Sequence, residues 1–506
     1  MELASIFGTI FTLQNLFIMN VGLFAGILIG VLPGLNVVFA VAIMLPFTFG
    51  MESITGMYLM LASYIGAIYG GAIPSILLNT PGNPANVMTV FDGSPMAKSG
   101  RAGDALKLSL VGSVVGGLIS SAALLAFAPM LASVALAFGS PEFFALSIFG
   151  MCAAIGLAGG NILKGLVMAI FGLLVSTVGM DAIDGTQRFM FGSPHLLSGV
   201  RTVAVMLGMF ALSEVFVQSR QIVNISKGNQ APVEYQKSKL TLRHIFKNHW
   251  RTLLRSSGIG VVIGTIPSVG GSVPSMIAYD RAKRTSKNPD EYGKGCADGV
   301  LASETANSAT SSTTLVPLLT LGIPGDAAVA VLLGAFAMQN IIPGPELFTR
   351  DGIWVFSLMG GLFVLNIFLF LQGTFFIKAI ANVTRVPQVI LMPCIVMLAT
   401  VGSFTIANTT FDAMILLGFA VVGYFMKANG FPFPPFIIAM VLGAFLETNL
   451  RRSLILSEGS YAIFVTRPIS AAFLIISAFS ILYPIISTML RKRKEAAAKA
   501  AKEATS

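Results

Sequence analysis

The sequence predicts an all-α polytopic membrane protein of about twelve crossings, arranged as two inverted structural repeats with re-entrant hairpins and broken helices. Three observations point to this class. Of the 506 residues 55% are hydrophobic and 11% charged, against about 25% charged in an average soluble domain. Apolar stretches at 106–138, 354–377 and 469–490 exceed the roughly 20 helical residues that cross a hydrocarbon layer. Proline-glycine interruptions recur in the same order in both halves. A helix satisfies its own backbone in lipid, and the alternating segments of an outer-membrane barrel are not seen.

Residues 1–20 form an N-terminal helix, whose Gln14 and Asn15 suit the membrane interface as well as a span. With Glu2 at its start and no basic region or small-residue cleavage site, it is expected to be retained. The first repeat covers 21–218, with a broken helix from Thr55 to about Val90 and spans near 106–128, 141–162, 165–180 and 201–218. A basic linker, 219–255, sets eight Lys and Arg residues (Arg220, Lys227, Lys237, Lys239, Arg243, Lys247, Arg251, Arg255) against Glu234. The positive-inside rule makes it cytoplasmic. The second repeat covers 256–450, a periplasmic loop and final span 451–490, and a basic cytoplasmic tail 491–506. Both termini are then cytoplasmic. The net charge of +10 reports orientation in a lipid bilayer; no nucleic-acid partner is expected.

Residues 258–279 lie between two basic loops and are interrupted by Ile266-Pro267-Ser268-Val269-Gly270-Gly271. A hairpin of two half-helices returns the chain to the same face, and irregular backbone at membrane depth is tolerated where protein or a cavity covers it. The same pattern stands earlier: Gly26-Ile-Leu-Ile-Gly30-Val-Leu-Pro33 aligns with Gly260-Val-Val-Ile-Gly264-Thr-Ile-Pro267. Pro74, Leu78, Pro81 and Gly82 align with Pro317, Leu321, Pro324 and Gly325, and Leu207-Gly-Met-Phe210 with Leu442-Gly-Ala-Phe445. Three matches in one order argue for a duplication. The odd number of crossings between the hairpins inverts the second half. Loop charge agrees, since Lys98, Arg101 and Lys107 have as counterpart only Arg350 beside Glu346 and Asp351.

The polar residues at depth concentrate at these interruptions. The candidate substrate-binding residues are Pro33, Gly34 and Asn36 in the first hairpin and Asn79, Thr80, Pro81, Gly82 and Asn83 in the first break. Pro267, Ser268, Gly270 and Gly271 join them from the second hairpin, and Asn307, Ser308, Pro324 and Gly325 from the second break. Prolines unwind a helix, and the N–H groups of half-helix N-termini suit a carboxylate. Freed carbonyls with side-chain oxygens suit sodium, giving a candidate cation set of Asn79, Asn83, Asn307, Ser311 and Asp326. The hydroxyl run 304–314 has a competing reading, in which Ser and Thr bond back to their own helix. An acid at depth such as Asp326 is functional by default, with a surface place at the span end as the alternative.

Arg451 and Arg452 stand with Glu447 and Glu458 in the predicted periplasmic loop and read as a structural ion-pair cluster in preference to a docking surface, while Glu214 is expected to pair with a cytoplasmic base. Cys152, Cys296, Cys394 and the three histidines have no disulfide or zinc spacing. No nucleophile with a base, HExxH or Walker loop occurs, so neither an enzyme nor an ATP-driven pump is expected, and no cofactor beyond sodium or a proton as coupling ion. A passive channel for small organic anions is the alternative to a carrier, but it needs a continuous polar lining.

Several segments closely resemble the large membrane subunit of the tripartite tricarboxylate transporter family: 30–34, Tyr64-Ile-Gly66-Ala-Ile-Tyr69-Gly70-Gly71, Asn79-Thr-Pro81-Gly82, Asp92-Gly93-Ser-Pro95-Met96, Glu304-Thr-Ala-Asn307, Leu321-Gly-Ile-Pro324-Gly325 and Pro343-Gly344-Pro345. The resemblance covers nearly the whole chain up to Arg491. It implies a bacterial secondary transporter that pairs with a small membrane subunit and a periplasmic substrate-binding protein. It also implies uptake of a small carboxylate, with citrate as the type case, on a sodium or proton gradient. Asn36, Ser268, Asn83 and Asp326 depart from the residues usual in the family at these tips.

Overall fold

The computed structural model describes residues 2–32, 35–136, 138–157, 162–181, 183–225, 236–267, 269–339, 341–383, 392–393, 396–401, 404 and 409–482. These are helical almost throughout. Among them the strands are one antiparallel pair, β1 (Gly179–Met180) and β2 (Gln187–Arg188). Among the described residues seven helices are long and apolar enough to cross a membrane, and five shorter apolar helices accompany them. The chain divides into two compact units, 1–136 with 201–428 and 137–200 with 429–506, so each takes a segment from either half.

The larger unit begins with α1 (Glu2–Ile10) and α2 (Leu13–Val31). Asn15 is buried, donating to the Thr9 carbonyl at 2.7 Å and accepting from the Thr55 hydroxyl at 2.6 Å, so its polar groups are satisfied inside the protein. The expected boundary at residue 20 falls within α2. Next come α3 (Val37–Met44), α4 (Ser53–Gly70) and α5 (Ala72–Leu77). Gly22, Gly26 and Gly30 of α2 lie in order against Leu59, Ser63 and Ala67 of α4, close enough that a side chain at any of them would meet the carbonyl oxygen opposite. The two helices are therefore parallel, and α3 brings the chain back between them as the return arm of a hairpin.

After the first interruption, α6 (Val87–Met96) runs to Gly100, where φ of 80° turns the chain into α7 (Ala102–Ala135). The helices α8 (Ser140–Leu157) and α9 (Ile162–Ser176) belong to the other unit. The larger unit resumes with α10 (Thr202–Met206), α11 (Ser213–Ile225) and α12 (Leu242–Gly264), so helix occupies both ends of the basic 219–255 segment. It continues with α13 (Ser272–Thr285), α14 (Ala297–Thr313), α15 (Leu315–Leu321), α16 (Ala327–Met338), α17 (Glu346–Arg350) and α18 (Gly352–Phe375).

The glycine seam recurs here: Gly260 lies against Ala306 and Gly264 against Thr310, making α12 and α14 parallel with α13 as the return arm. Ser63 and Ala306 stand equally far before Pro74 and Pro317, as do Ala67 and Thr310.

Three further helix pairs fix the direction of the two halves. Trp354 donates to Ser53 and Tyr58 to the Ser357 carbonyl, so α4 and α18 are parallel. Gly112 faces Thr305, and Ser120 accepts from the amides of Ser312 and Thr313, so α7 and α14 are parallel. Gly117 meets Asn366 while Leu110 meets Gly373, so α7 and α18 are antiparallel. It follows that α4 and α14, each leading to one interruption, run in opposite directions. Glu214 pairs with Lys427, a base as expected.

In the smaller unit the helix Phe433–Leu456 packs on α8 and α9. Arg188 holds Glu447 at 2.8 Å and Asp181 at 3.1 Å, and Arg451 holds Asp181 at 2.9 Å, Asp184 at 3.1 Å and Glu447 at 2.9 Å. Glu447, Arg451 and Arg452 thus lie in a helix, which corrects the loop expected there. Glu447 and Arg451 are paired with each other along its face and with the 181–188 turn, and helix continues to Leu456.

Candidate functional site at two helix interruptions

The two interruptions have one backbone design. At the first, the Pro74 carbonyl accepts from Leu78 and Thr80, Asn79 adopts a left-handed φ of 55°, and the Gly82 amide folds back onto the Gly71 carbonyl at 3.2 Å. At the second, the Pro317 carbonyl accepts from Ile323 at 3.2 Å and Gly322 is left-handed at 72°. A Cβ at Gly82 would lie 2.5 Å from the Gly71 Cα, and one at Gly325 2.6 Å from the Thr314 carbonyl oxygen. Glycine is therefore required at both.

Each loop ends in a residue that caps the next helical segment. Asn83 Oδ1 accepts from the Ala85 amide at 3.0 Å, capping the turn Pro84–Asn86 that opens α6. Asp326 Oδ1 accepts from the Val329 amide at 2.7 Å, capping α16, and its Oδ2 accepts from the Tyr64 hydroxyl at 3.0 Å. Such caps satisfy amides that a helix start leaves open.

The tip of the second hairpin meets both loops. A Cβ on Gly270 would stand 3.5 Å from the Asp326 Cβ, and one on Gly271 would stand 3.2 Å from the Ala85 Cβ and collide with Asn307 Oδ1. Beside this junction Asn83 Nδ2, Asn86 Oδ1, Glu304 Oε2, Asn307 Nδ2 and Ser308 Oγ are buried without a hydrogen-bond partner. Buried polar atoms are usually paired, so a cluster of exceptions marks a place with chemistry to do.

The predicted residues divide accordingly. Gly82, Asn83, Gly270, Gly271, Asn307, Ser308, Gly325 and Asp326 surround the junction, with Pro324 buried in the second loop and Pro267 buried after α12. Asn36 caps α3 by accepting from Phe39. Asn79, Thr80 and Pro81 are exposed, and Thr80 bonds back to the Leu78 carbonyl. Pro33, Gly34 and Ser268 lie outside the described residues. Ser311 donates to the Ser308 carbonyl, and Thr310, Thr313 and Thr314 also bond within their own helix, which is the packing reading of that run. Asn79 and Ser311 are accordingly not drawn together with Asn83, Asn307 and Asp326.

Tyr64, Asn86, Thr89 and Glu304 are site neighbours absent from the predicted set. Glu304 carried a signal, an acid in a predicted membrane span; Tyr64 carried only its place in the family segment 64–71. Asp92, by contrast, is structural: its carboxylate accepts from the amides of Gly293, Gly295 and Cys296 and from the Tyr279 hydroxyl, clasping the 286–296 loop to α6. A cavity of about 310 Å³ lined by Ser53, Ile341, Leu347, Arg350, Asp351 and Trp354 lies at the start of α18, apart from the residues of the junction.

Comparison with known proteins places the chain beside two curated relatives. A curated protein of Agrobacterium vitis, described as an uncharacterized 52.8 kDa protein in the TAR-I ttuC' 3'region, is 34% identical over 487 residues, 96% of each chain. A second from the same organism, described as an uncharacterized protein in the TAR-II ttuC' 3'region, is 33% identical over 236 residues, covering 47% of this chain and 98% of its own. No solved structure matches. The pattern of the tripartite tricarboxylate transporter TctA family matches residues 16–438, and the chain belongs to that family.

Proposed function

We propose that the chain is the large membrane subunit of a binding-protein-dependent secondary transporter that imports a small di- or tricarboxylate on a sodium or proton gradient. In this reading a small membrane subunit and a periplasmic substrate-binding protein complete the transporter in the bacterial inner membrane, with both termini cytoplasmic. The chain makes about twelve crossings in this reading. The recurring glycine seams, the matched interruptions and the opposed directions of α4 and α14 support two inverted repeats. Inverted repeats with discontinuous helices favour alternating access around a central site. An elevator-like motion suits a junction that lies wholly within one compact unit.

The observation that carries the substrate class is the pair of unpartnered amides. The oxygen of Asn83 is taken by its cap, leaving Nδ2 free to donate, and Asn307 Nδ2 is likewise free. Two buried N–H donors next to helix starts are suited to carboxylate oxygens.

The test is uptake of labelled C4 to C6 carboxylates by cells expressing all three components. At least one should accumulate against its gradient, collapse with an ionophore, and fall about tenfold or more in Asn83→Ala or Asn307→Ala, as removing a charge-assisted bond predicts. Equilibration without accumulation would identify a channel instead.

A further inference from the structure

Glu304, on α14, has 0% exposure, and among the described residues it makes no ion pair. Its Oε1 accepts from Asn86 Nδ2 at 2.9 Å and from the Thr89 hydroxyl, which itself lies 3.1 Å from Ser303 Oγ. Oε2 has no hydrogen-bond partner; Ser109 of α7 approaches the same carboxylate without closing a well-directed bond. Every group that touches this carboxylate is therefore neutral.

The charged groups on the packed elements are exposed or engaged elsewhere: Arg243, His244, Lys247 and Arg251 of α12 and Arg281 and Lys283 of α13 are exposed. On α14, Asp298 bonds His249 and Thr252 of α12. On α6, Asp92 is held by Tyr279 of α13 and three amides. On α7, Asp104 binds Ser238 and the Lys239 amide, and Lys107 binds the Leu240 carbonyl. Arg255 of α12 bonds Thr285, Asp280 of α13 pairs with Arg284, and Tyr64 of α4 bonds Asp326. The turn Pro84–Asn86 and α15 have no charged residue.

An ionised carboxylate that is fully buried among neutral donors is costly, and a proton removes the charge. The two oxygens suit the two states: Oε1 keeps its amide and hydroxyl donors when the group is ionised, and Oε2 is open to a proton. Asn86 links this to the first interruption, because it ends the turn that Asn83 caps and its Oδ1 lies over Gly71. A negative Glu304 repels a second carboxylate held at Asn83, and a protonated one does not. Substrate and proton then favour each other's binding, and such coupling is reciprocal.

We propose that Glu304 carries the coupling proton. An O–H bond forms at Oε2 with a proton taken from water on the entry side as substrate binds, and breaks on the other side with return of that proton to water. This rests on the reading of the chain as a carboxylate carrier and names its coupling ion.

The test is infrared difference spectroscopy of the full-length chain in lipid vesicles, titrated with acid and alkali and no substrate. A protonated-carboxyl band should vanish on alkaline titration, be missing in Glu304→Gln, shift in Glu304→Asp, and be indifferent to exchange of potassium for sodium. The Asp variant alone gives the assignment if the Gln variant does not reach the membrane. A band that survives removal of Glu304, no titrating band, or a band displaced by sodium at fixed pH would each overturn the proposal.

With citrate as transport probe in the complete transporter, Glu304→Gln should lose at least about tenfold in proton-driven accumulation yet retain exchange of labelled for unlabelled citrate. Loss of both would assign Glu304 to binding and overturn the coupling role. If the wild type takes up no carboxylate, the carrier reading fails, while the infrared titration still decides whether Glu304 holds a proton.

Discussion

The two helix interruptions share a chain path and differ in charge. Asn79 and Gly322 take the left-handed turn, Gly82 and Gly325 pass closest to the preceding helix, and Asn83 and Asp326 cap the next one. A cap needs only an oxygen acceptor, which either residue supplies, so the acid at 326 is not there for the chain path. The remaining atom differs. Asn83 offers an unpartnered N–H group, whereas the second oxygen of Asp326 is taken by Tyr64. The cap of the first loop can donate to an anion, whereas the cap of the second is already closed by Tyr64, so one architecture has been given two chemistries.

The largest expected effect breaks the shared part. Gly82→Val and Gly325→Val drive a side chain into the backbone of Gly71 or Thr314, and overpacking of this kind costs about 1–3 kcal/mol. Both should lower the melting temperature in detergent and cut carboxylate uptake about tenfold or more. A large loss at only one site would show that the two loops are not functionally equivalent.

Exchanging the caps sharpens the difference. Asn83→Asp keeps an acceptor but replaces the free donor by a charge, so melting should hold while uptake collapses. Asp326→Asn should keep both the cap and most of the uptake. Asp326→Ala removes the cap and should cost about 1 kcal/mol. Equal uptake losses in Asn83→Asp and Asp326→Asn would refute the assignment of anion binding to the first loop.

The left-handed positions give a smaller effect. Gly322→Ala should destabilise by about 1 kcal/mol, the penalty for a Cβ in that region. Asn79→Gly should be close to neutral, and melting curves of the two variants test the contrast.

Much of this was legible in the sequence because prolines and glycines act locally. Pro74, Pro81, Pro317 and Pro324 announce interruptions wherever the helices pack, and the Gly26/Gly30 and Gly260/Gly264 pairs announce close helix contact. What could not be read was which polar groups bond to their own helix. Ser311 and Asn307 are both polar residues of one buried helix, yet Ser311 is back-bonded and Asn307 keeps a free amide. Helix rotation decides between them, and it is set by contacts with residues distant in the chain. Tyr64 was illegible for the same reason, since its partner Asp326 belongs to the other half. Asp92 looked like the other family-motif residues and is a clasp, because only the folded 286–296 loop supplies its three amides.

The smallest effect comes from the other unit, where charge is exposed and paired. Hydrogen bonds from Thr186, with Arg451 adding its charge, hold the Asp184 carboxyl down at about 2, below the usual value of about 4. A carboxyl depressed in the folded protein contributes stability that is complete above its unfolded value and is lost as pH falls from about 4 through about 2. Asp184→Asn should therefore leave melting almost unchanged at neutral pH, because exposed pairs contribute little, and the slight difference should fade on acidification and in high salt. A pronounced loss at neutral pH that salt does not relieve would mean that this cluster holds the turn as firmly as the buried caps hold the interruptions, and the contrast between buried neutral and exposed charged sites would fail.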